Sequence, residues 1–485
     1  MDTTHRPIYH FITPKNWMND PNGPLQYKGV YHLFYQVNPR EPVFNNRMMW
    51  GHATSRDLVH WKHRPHALKP NTPSDRRGCW SGSSFIDEGV PTLVYAGFMP
   101  NPDIDAGQTI CVATSRQENL LTWKKHPQNP GVIRPVEYFQ NYADGRGIYM
   151  DAPYVWRQGK TYYMIAGIAS PGKPGELPLF KSRDLIHWTY MHPLMDWDGG
   201  RPGRMWAICP KFLKMGRKWV LFVSPIWMIR SVYYVGTYKN HKFVPEYQGE
   251  LDLGGSFYAA DAFKDERGRH ILFGWLKETC SQKMSIDAGW CGAMSLPRVM
   301  TLGENNRLCF EPEPALEKLR CDGRHFKDIL LRPGKSGYLP EIKGKSLEIE
   351  AEIDLKDANQ VGFKLRRSAN GSEETIFVYD RRRALLISDC RQSSKRRAAH
   401  RRQYVSREYG PNSNVYKVPF KLTRKETLKL RLFLDYSIVE AFVNGRTCVS
   451  SRIYPSQKNS LGIDLFAKGG SATVKSLNIW TMKSI

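Results

Sequence analysis

The feature that most constrains this chain is an internal repeat. Ser55-Arg56-Asp57-Leu58-Val59-His60-Trp61 returns almost unchanged as Ser182-Arg183-Asp184-Leu185-Ile186-His187-Trp188. A degenerate copy runs from Ser115-Arg116 to Leu121-Thr122-Trp123. The three tryptophans are 62 and 65 residues apart, and Phe243 and Phe310 continue the series. Upstream of each member lies a second recurring unit: a strand, a tight turn with glycine, and an aromatic or β-branched strand such as Val30-Tyr31-His32-Leu33-Phe34-Tyr35. The turn glycines are Gly29, Gly89, Gly159, Gly216 and Gly268, and glycine supplies the positive φ that hairpin turns require. Five antiparallel units of this size read as the blades of a propeller, whose first strands line a central channel.

The repeat ends near residue 320. Beyond it Leu347, Ile349, Ala351 and Ile353 alternate with Glu348, Glu350, Glu352 and Asp354, and Leu428, Leu430, Leu432 and Leu434 alternate with Lys429, Arg431 and Phe433. That is the period of half-buried strands. Asn444-Gly445 reads as a hairpin turn after Val439–Val443. The predicted fold is all-β: a five-bladed β-propeller over 1–320, then a β-sandwich over 335–485, with a loose boundary between Glu313 and Gly337 and a short helix from Glu313 to Leu319.

On the innermost strands two carboxylates stand out. Asp151 lies eight residues before Gly159 and Asp20 nine before Gly29, so the first and third blades each bring an aspartate to the channel. A pair of carboxylates across a sugar-sized pocket is the core of glycoside hydrolysis. Taken singly, Asp20 in Asn-Asp-Pro-Asn-Gly is an ordinary turn residue; their shared register is the argument.

Trp17-Met18-Asn19-Asp20-Pro21-Asn22-Gly23 resembles the signature of glycoside hydrolase family 32, the invertases, inulinases and levanases. The resemblance continues in order through Phe34-Tyr35-Gln36, Trp50-Gly51-His52-Ala53, Cys79-Trp80-Ser81-Gly82-Ser83, Phe257-Tyr258-Ala259, Phe273-Gly274-Trp275, Leu296-Pro297-Arg298 and Val439-Glu440-Ala441-Phe442-Val443-Asn444. It implies a propeller with a β-sandwich, Asp20 as nucleophile of a retaining β-fructosidase and Asp151 as transition-state stabiliser. It also implies a fructose pocket lined by Asn19, Gln36, Trp50, Trp80 and Ser81.

Two departures matter. Where the family has Arg-Asp-Pro, this chain has Met150-Asp151-Ala152-Pro153, and Met150 cannot make the forked bonds of an arginine. Where the family has Glu-Cys-Pro with a general acid/base Glu, it has Ile208-Cys209-Pro210, followed by Lys211 in place of an acidic residue. Met150 and Ile208 therefore stand at substrate-facing positions with altered chemistry. General acid/base catalysis is worth roughly 10²–10⁴-fold. Asp261, Glu278, Glu176 and Asp198 are the candidates for a replacement acid. The alternatives are a different furanoside substrate, or a catalytically impaired protein that binds fructans or other sugars on the same scaffold.

The remaining features narrow the partners. The net charge of +25 draws heavily on the stretch Arg381 to Arg402, read as a solvated surface. No nucleic-acid module accompanies it, so a carbohydrate is the expected partner and nucleic acid is not. A basic rim would also suit a phosphorylated sucrose. No apolar run is long enough for a membrane span. Nine scattered cysteines and no basic-then-apolar leader point to reduced thiols and a cytoplasmic setting. His52, His60 and His187 fall on the repeat and read as structural, so neither a metal nor a cofactor is expected.

Overall fold

The computed structural model describes residues 3–45, 47–98, 108–134, 149–169, 177–195, 207–225, 230–396, 414–423 and 425–485. The expected architecture is present. Five antiparallel blades open on the strands Asn16–Tyr27, Gly78–Asp87, Tyr149–Gln158, Ala207–Met215 and Phe257–Lys264, each paired with the next strand in sequence. All five turn glycines have positive φ, between 60° and 85°.

The heptapeptide repeat has one physical role. In both full copies the aspartate side chain accepts from the serine hydroxyl, two following backbone N–H groups and the histidine ring. The tryptophan indole then donates to a carbonyl three residues back: Trp61 to Leu58, Trp123 to Leu120 and Trp188 to Leu185. Those three leucines all have positive φ. The serine and aspartate bonds satisfy a tight turn in which a β-branched residue would be strained. His60 and His187 are thus turn residues, and His52 stacks and hydrogen bonds with His32 inside the first blade.

A second regularity was invisible in sequence. Each innermost strand carries a bulge that sets two residues opposite one. The pairs are Asn19-Asp20, Trp80-Ser81, Ala152-Pro153, Cys209-Pro210 and Ala259-Ala260. A bulge bends its strand and re-aims side chains, and here all five occur at corresponding points around the channel. The bulge opens at Met18, Cys79, Asp151, Ile208 and Tyr258, which lie 11, 10, eight, eight and 10 residues before the turn glycines. The arms between bulge and turn differ in length, so the bulge, not the glycine, sets the register. On that register Asp20 shares a place with Ser81, and Asp151 shares one with Ile208.

The C-terminal sandwich pairs a six-stranded with a five-stranded sheet. Leu347, Ile349, Leu430 and Leu432 fill the space between them. The six-stranded sheet is not simply half-buried, however. Phe433, Ile438, Phe442 and Cys448 on its other face join the core of the first and fifth blades. Glu348, expected at the surface, is buried between Arg320 and Arg431. The strand Arg320–Leu331 also belongs to this sandwich, as an edge of the six-stranded sheet, and a 3₁₀ helix at Pro314–Leu319 precedes it. Its charged, largely exposed side chains hid the strand period, as edge strands often do.

A buried polar lock joins the two domains. Arg298 Nη2 bonds Asp252 Oδ2 at 2.8 Å and Glu440 Oε2 at 2.6 Å, with Ser450 Oγ at 2.9 Å. Glu440 also accepts from Leu296 N, and the His10 ring lies between Glu440 and Asp435. Asp435 in turn accepts the amides of Ile8, Tyr9 and His10, which straps the N-terminal segment to the sandwich.

Candidate active site

Asp20 is buried, and both of its oxygens are held. Asn19 Nδ2 donates to Oδ1 at 3.1 Å, and Ser81 Oγ donates to Oδ2 at 2.9 Å, with the Cys209 thiol 3.5 Å from the same oxygen. Burial raises its pKa; Ser81, Asn19, Cys209 and the charge of Lys211 pull it back. A carboxylate so held keeps one orientation, as a nucleophile must.

Asp151 is placed differently. It is as deeply buried, but its Oδ1 has no hydrogen-bond partner among the described residues. Burial and then the charge of Asp20 push its pKa up to about 7, against the Ala152 N–H and Lys211. Two carboxylates in one dry site compete for ionisation, and the better-solvated one keeps its charge. The structure therefore brings together the two aspartates from separate blades.

The walls are aromatic. Trp17 lies edge-on to Trp275 at 5.6 Å, and Phe44 lies edge-on to both Trp17 and Trp80, at 6.0 and 5.8 Å. Phe44 is 44 % exposed and sits in the loop after the second strand, where no periodicity marks it. Such rings suit the apolar face of a sugar. Trp50 and Gln36 are fully covered and act one layer back: Trp50 Nε1 donates to the Trp80 carbonyl and Gln36 Nε2 to the Cys79 carbonyl. They fix the strand that carries Trp80 and Ser81. Met150 packs among Val94, Ile110 and Ile168, in the apolar cluster between the second and third blades.

The channel has a polar plug that the sequence did not announce. Lys211, from the fourth blade, donates to the Gly82 carbonyl of the second blade at 2.7 Å. It pairs with Asp261 of the fifth blade at 2.9 Å. Asp261 also accepts from Gly23 N of the first blade. Four blades meet at this pair, and both charges are buried. Asp261 is thus committed to an ion pair. Glu278 is similarly occupied, by Arg452, Tyr454 and Gly292 N. Ile208 is paired with Ser224 at the bulge opening. Glu176 and Asp198 lie outside the described residues.

Comparison with known proteins agrees with this arrangement. Residues 10–312 match the glycosyl hydrolases family 32 N-terminal domain, and residues 315–481 match the glycosyl hydrolases family 32 C terminal domain. A sucrose-6-phosphate hydrolase of Zymomonas mobilis is 32 % identical, over 98 % of this chain and 92 % of its own. A fructan 6-exohydrolase of Beta vulgaris is 29 % identical, over 99 % and 87 %. The crystal structure of fructan 1-exohydrolase IIa from Cichorium intybus superposes with a TM-score of 0.85 at 25 % identity, covering 100 % of this chain and 98 % of that one. With both of its domains matched in order and its propeller and sandwich superposed, the chain belongs to glycosyl hydrolase family 32, and its place is among that family's carbohydrate-cleaving enzymes.

Proposed function

We propose that this chain hydrolyses β-fructosides by the retaining route, with Asp20 attacking the anomeric carbon and Asp151 balancing the positive charge that develops on the sugar. The observation that carries the reading is the buried Asp20 carboxylate, held on both oxygens beside a second, incompletely bonded carboxylate. Relatives that act on sucrose 6-phosphate and on fructans support the substrate class. Asn19 and Ser81 orient the nucleophile, Trp17 packs behind them with its indole on Asn19, and Phe44 and Trp80 offer rings for the sugar face.

In this reading the step that suffers is departure of the leaving group. Ile208 stands where the family places its proton donor, and the two described substitutes, Asp261 and Glu278, are engaged in ion pairs. Fructosides whose leaving oxygen needs little protonation are then the best substrates, and sucrose or a fructan turns over slowly. The same observation favours a second reading, a fructan-binding protein with little turnover.

Fructose release from sucrose, sucrose 6-phosphate, inulin, levan and an activated aryl fructoside separates the two, with Asp20→Asn alongside. The proposal expects the aryl fructoside to turn over and Asp20→Asn to lower that rate on the order of 10⁴-fold. Undiminished turnover by Asp20→Asn sinks it. No turnover of any substrate, with sugar binding intact, selects the binding reading.

A further inference from the structure

A second concave site lies away from the aspartates, where the N-terminal segment meets the sandwich. It is a cleft of about 560 Å³. Among the described residues its lining includes Arg6, Lys345, Arg366, Arg396 and Lys458, and no acidic side chain. None of these five cations forms an ion pair with a carboxylate among the described residues. Three other buried cations, Arg298, Lys211 and Arg452, are each paired with at least one carboxylate.

Arg366 is the sharpest anomaly. It is only 3 % exposed, yet its guanidinium contacts carbonyls alone, Nε with Ser460 O and Nη1 with Tyr436 O, both at 2.7 Å. Burial pulls its pKa down to about 10, against the charge of nearby Glu373. Glu373 offers Arg366 a counter-charge at a distance but no bond. Its carboxylate accepts from the amides of Lys395, Ser456 and Gln457 and the hydroxyls of Ser456 and Ser460, which saturate it. Arg366 also sits in a bulge with φ of +49°, a conformation a side chain rarely adopts, so the chain holds this guanidinium in place at some strain.

Two further groups add to it. Arg6 holds its Nη2 on the carbonyls of Thr13 and Pro14, but its buried Nη1 has no partner among the described residues. Lys345 lies over the Tyr436 ring. Arg396 and Lys458 are exposed at the rim. The cleft thus gathers five cations, two of them with guanidinium groups anchored on carbonyls.

We infer that this cleft binds a small, multiply charged oxyanion, a polyphosphate or a phosphate ester with more than one anionic group, gripped by Arg6 and Arg366 and covered by Lys345, Arg396 and Lys458. Guanidinium forks match the oxygens of phosphate, and one singly charged ion would leave most of the five cations unanswered. Arg396 belongs to the basic stretch from Arg381 to Arg402, so part of that charge has a site to serve; residues 397–402 lie outside the described residues. Because the cleft includes Thr3 to Ile8, the bound anion would fasten the N-terminal segment to the sandwich.

Calorimetric titration of the full chain with sodium tripolyphosphate and with orthophosphate tests this. The variants are Arg396→Gln/Lys458→Gln and, as a control of equal charge, Arg381→Gln/Arg382→Gln, whose side chains are exposed on a hairpin turn of the same sheet. The expected result is one tripolyphosphate per chain, bound more tightly than orthophosphate, weakened about tenfold or more in the first variant and unchanged in the control. Unfolding midpoints without ligand should match across the three proteins, and tripolyphosphate should raise the wild-type midpoint. No binding, equal weakening in the control, or orthophosphate binding as tightly as tripolyphosphate overturns the inference.

Discussion

The aspartate pair in the channel and the lock between the domains are both built from buried carboxylates, and they resolve burial in opposite ways. In the lock, Glu440 faces Arg298, His10 and the Leu296 amide, and despite full burial its pKa falls to about 2. In the channel, Asp151 faces another carboxylate and keeps an oxygen without a partner, and its pKa climbs to about 7. The lock is saturated and specifies how two domains meet. The channel pair is left incomplete among the described residues, as the proposed role toward a sugar requires. Burial alone does not mark a functional carboxylate; missing donors and a like-charged neighbour do.

The sharpest way to test that contrast is to complete the channel chemically. Ile208→Glu, at the place where the motif resemblance puts the proton donor, should raise turnover of sucrose or inulin by roughly 10²–10⁴-fold while leaving the aryl fructoside far less affected. Steady-state fructose release measures it, and equal gains on both substrates would break the assignment.

The pH profile sharpens the same contrast. If Asp151 must be ionised to balance charge on the sugar, kcat/KM for the aryl fructoside rises with pH through about 7. Asp151→Asn removes that inflection along with most of the rate. A profile that falls through the same pH would instead make protonated Asp151 the working form.

The lock should respond in stability rather than in chemistry. Arg298→Met strips the counter-charge from Glu440 and Asp252, and about 3–5 kcal/mol of stability should go with it, read from guanidinium unfolding. Its pH dependence has two sides. Glu440 has a pKa depressed from about 4.5, so its contribution is full above that value and fades as pH falls toward about 2. Burial lowers the pKa of His10, but the bonds to Asp435 and Glu440 outweigh it and leave a net rise above 6.5; its contribution is full below 6.5 and is lost as pH rises through the higher folded value. The lock is therefore firmest between about pH 4.5 and 6.5, and below that window, as Glu440 takes up a proton, the Arg298→Met variant should lose progressively less.

The smallest effect belongs to neither region. Gly89 has φ of +85° and open space where an alanine methyl group would sit, so Gly89→Ala should cost only the backbone strain, about 1–2 kcal/mol, with kcat unchanged. A loss of activity there would mean that the hairpin turns communicate with the channel.

The sequence carried the blades because each is a local unit. Gly159 and the Ser182–Trp188 turn satisfy their own backbone within a few residues, so their pattern survives as a string. Counting to the turn glycines led to Asp20 and Asp151 on the right strands, but the bulges put them two places apart on the true register, so the shared register expected from that count does not hold. What no count could reach was built from partners far apart in the chain. Lys211 meets Gly82 and Asp261 across the channel, which turns the candidate acid Asp261 into half of an ion pair. Phe433 and Phe442 read as the outer face of a sheet until the propeller covers them. Phe44 lies in a loop and owes its place to Trp17 and Trp80 alone.

The bulges that open at Met18, Cys79, Asp151, Ile208 and Tyr258 have a consequence for how such a protein changes over time. Five corresponding backbone seats hold a thioether, a thiol, a carboxylate, an alkyl group and a phenol. The strand pairing on either side of the bulge is the same for all five occupants, although Met18 and Cys79 are also packed into the core. A lineage built on this ring can retire a reaction, shift its substrate or recover the old activity by single exchanges at one seat, with the fold as a bystander. The inheritance is the ring itself, and the chemistry is what each descendant seats in it.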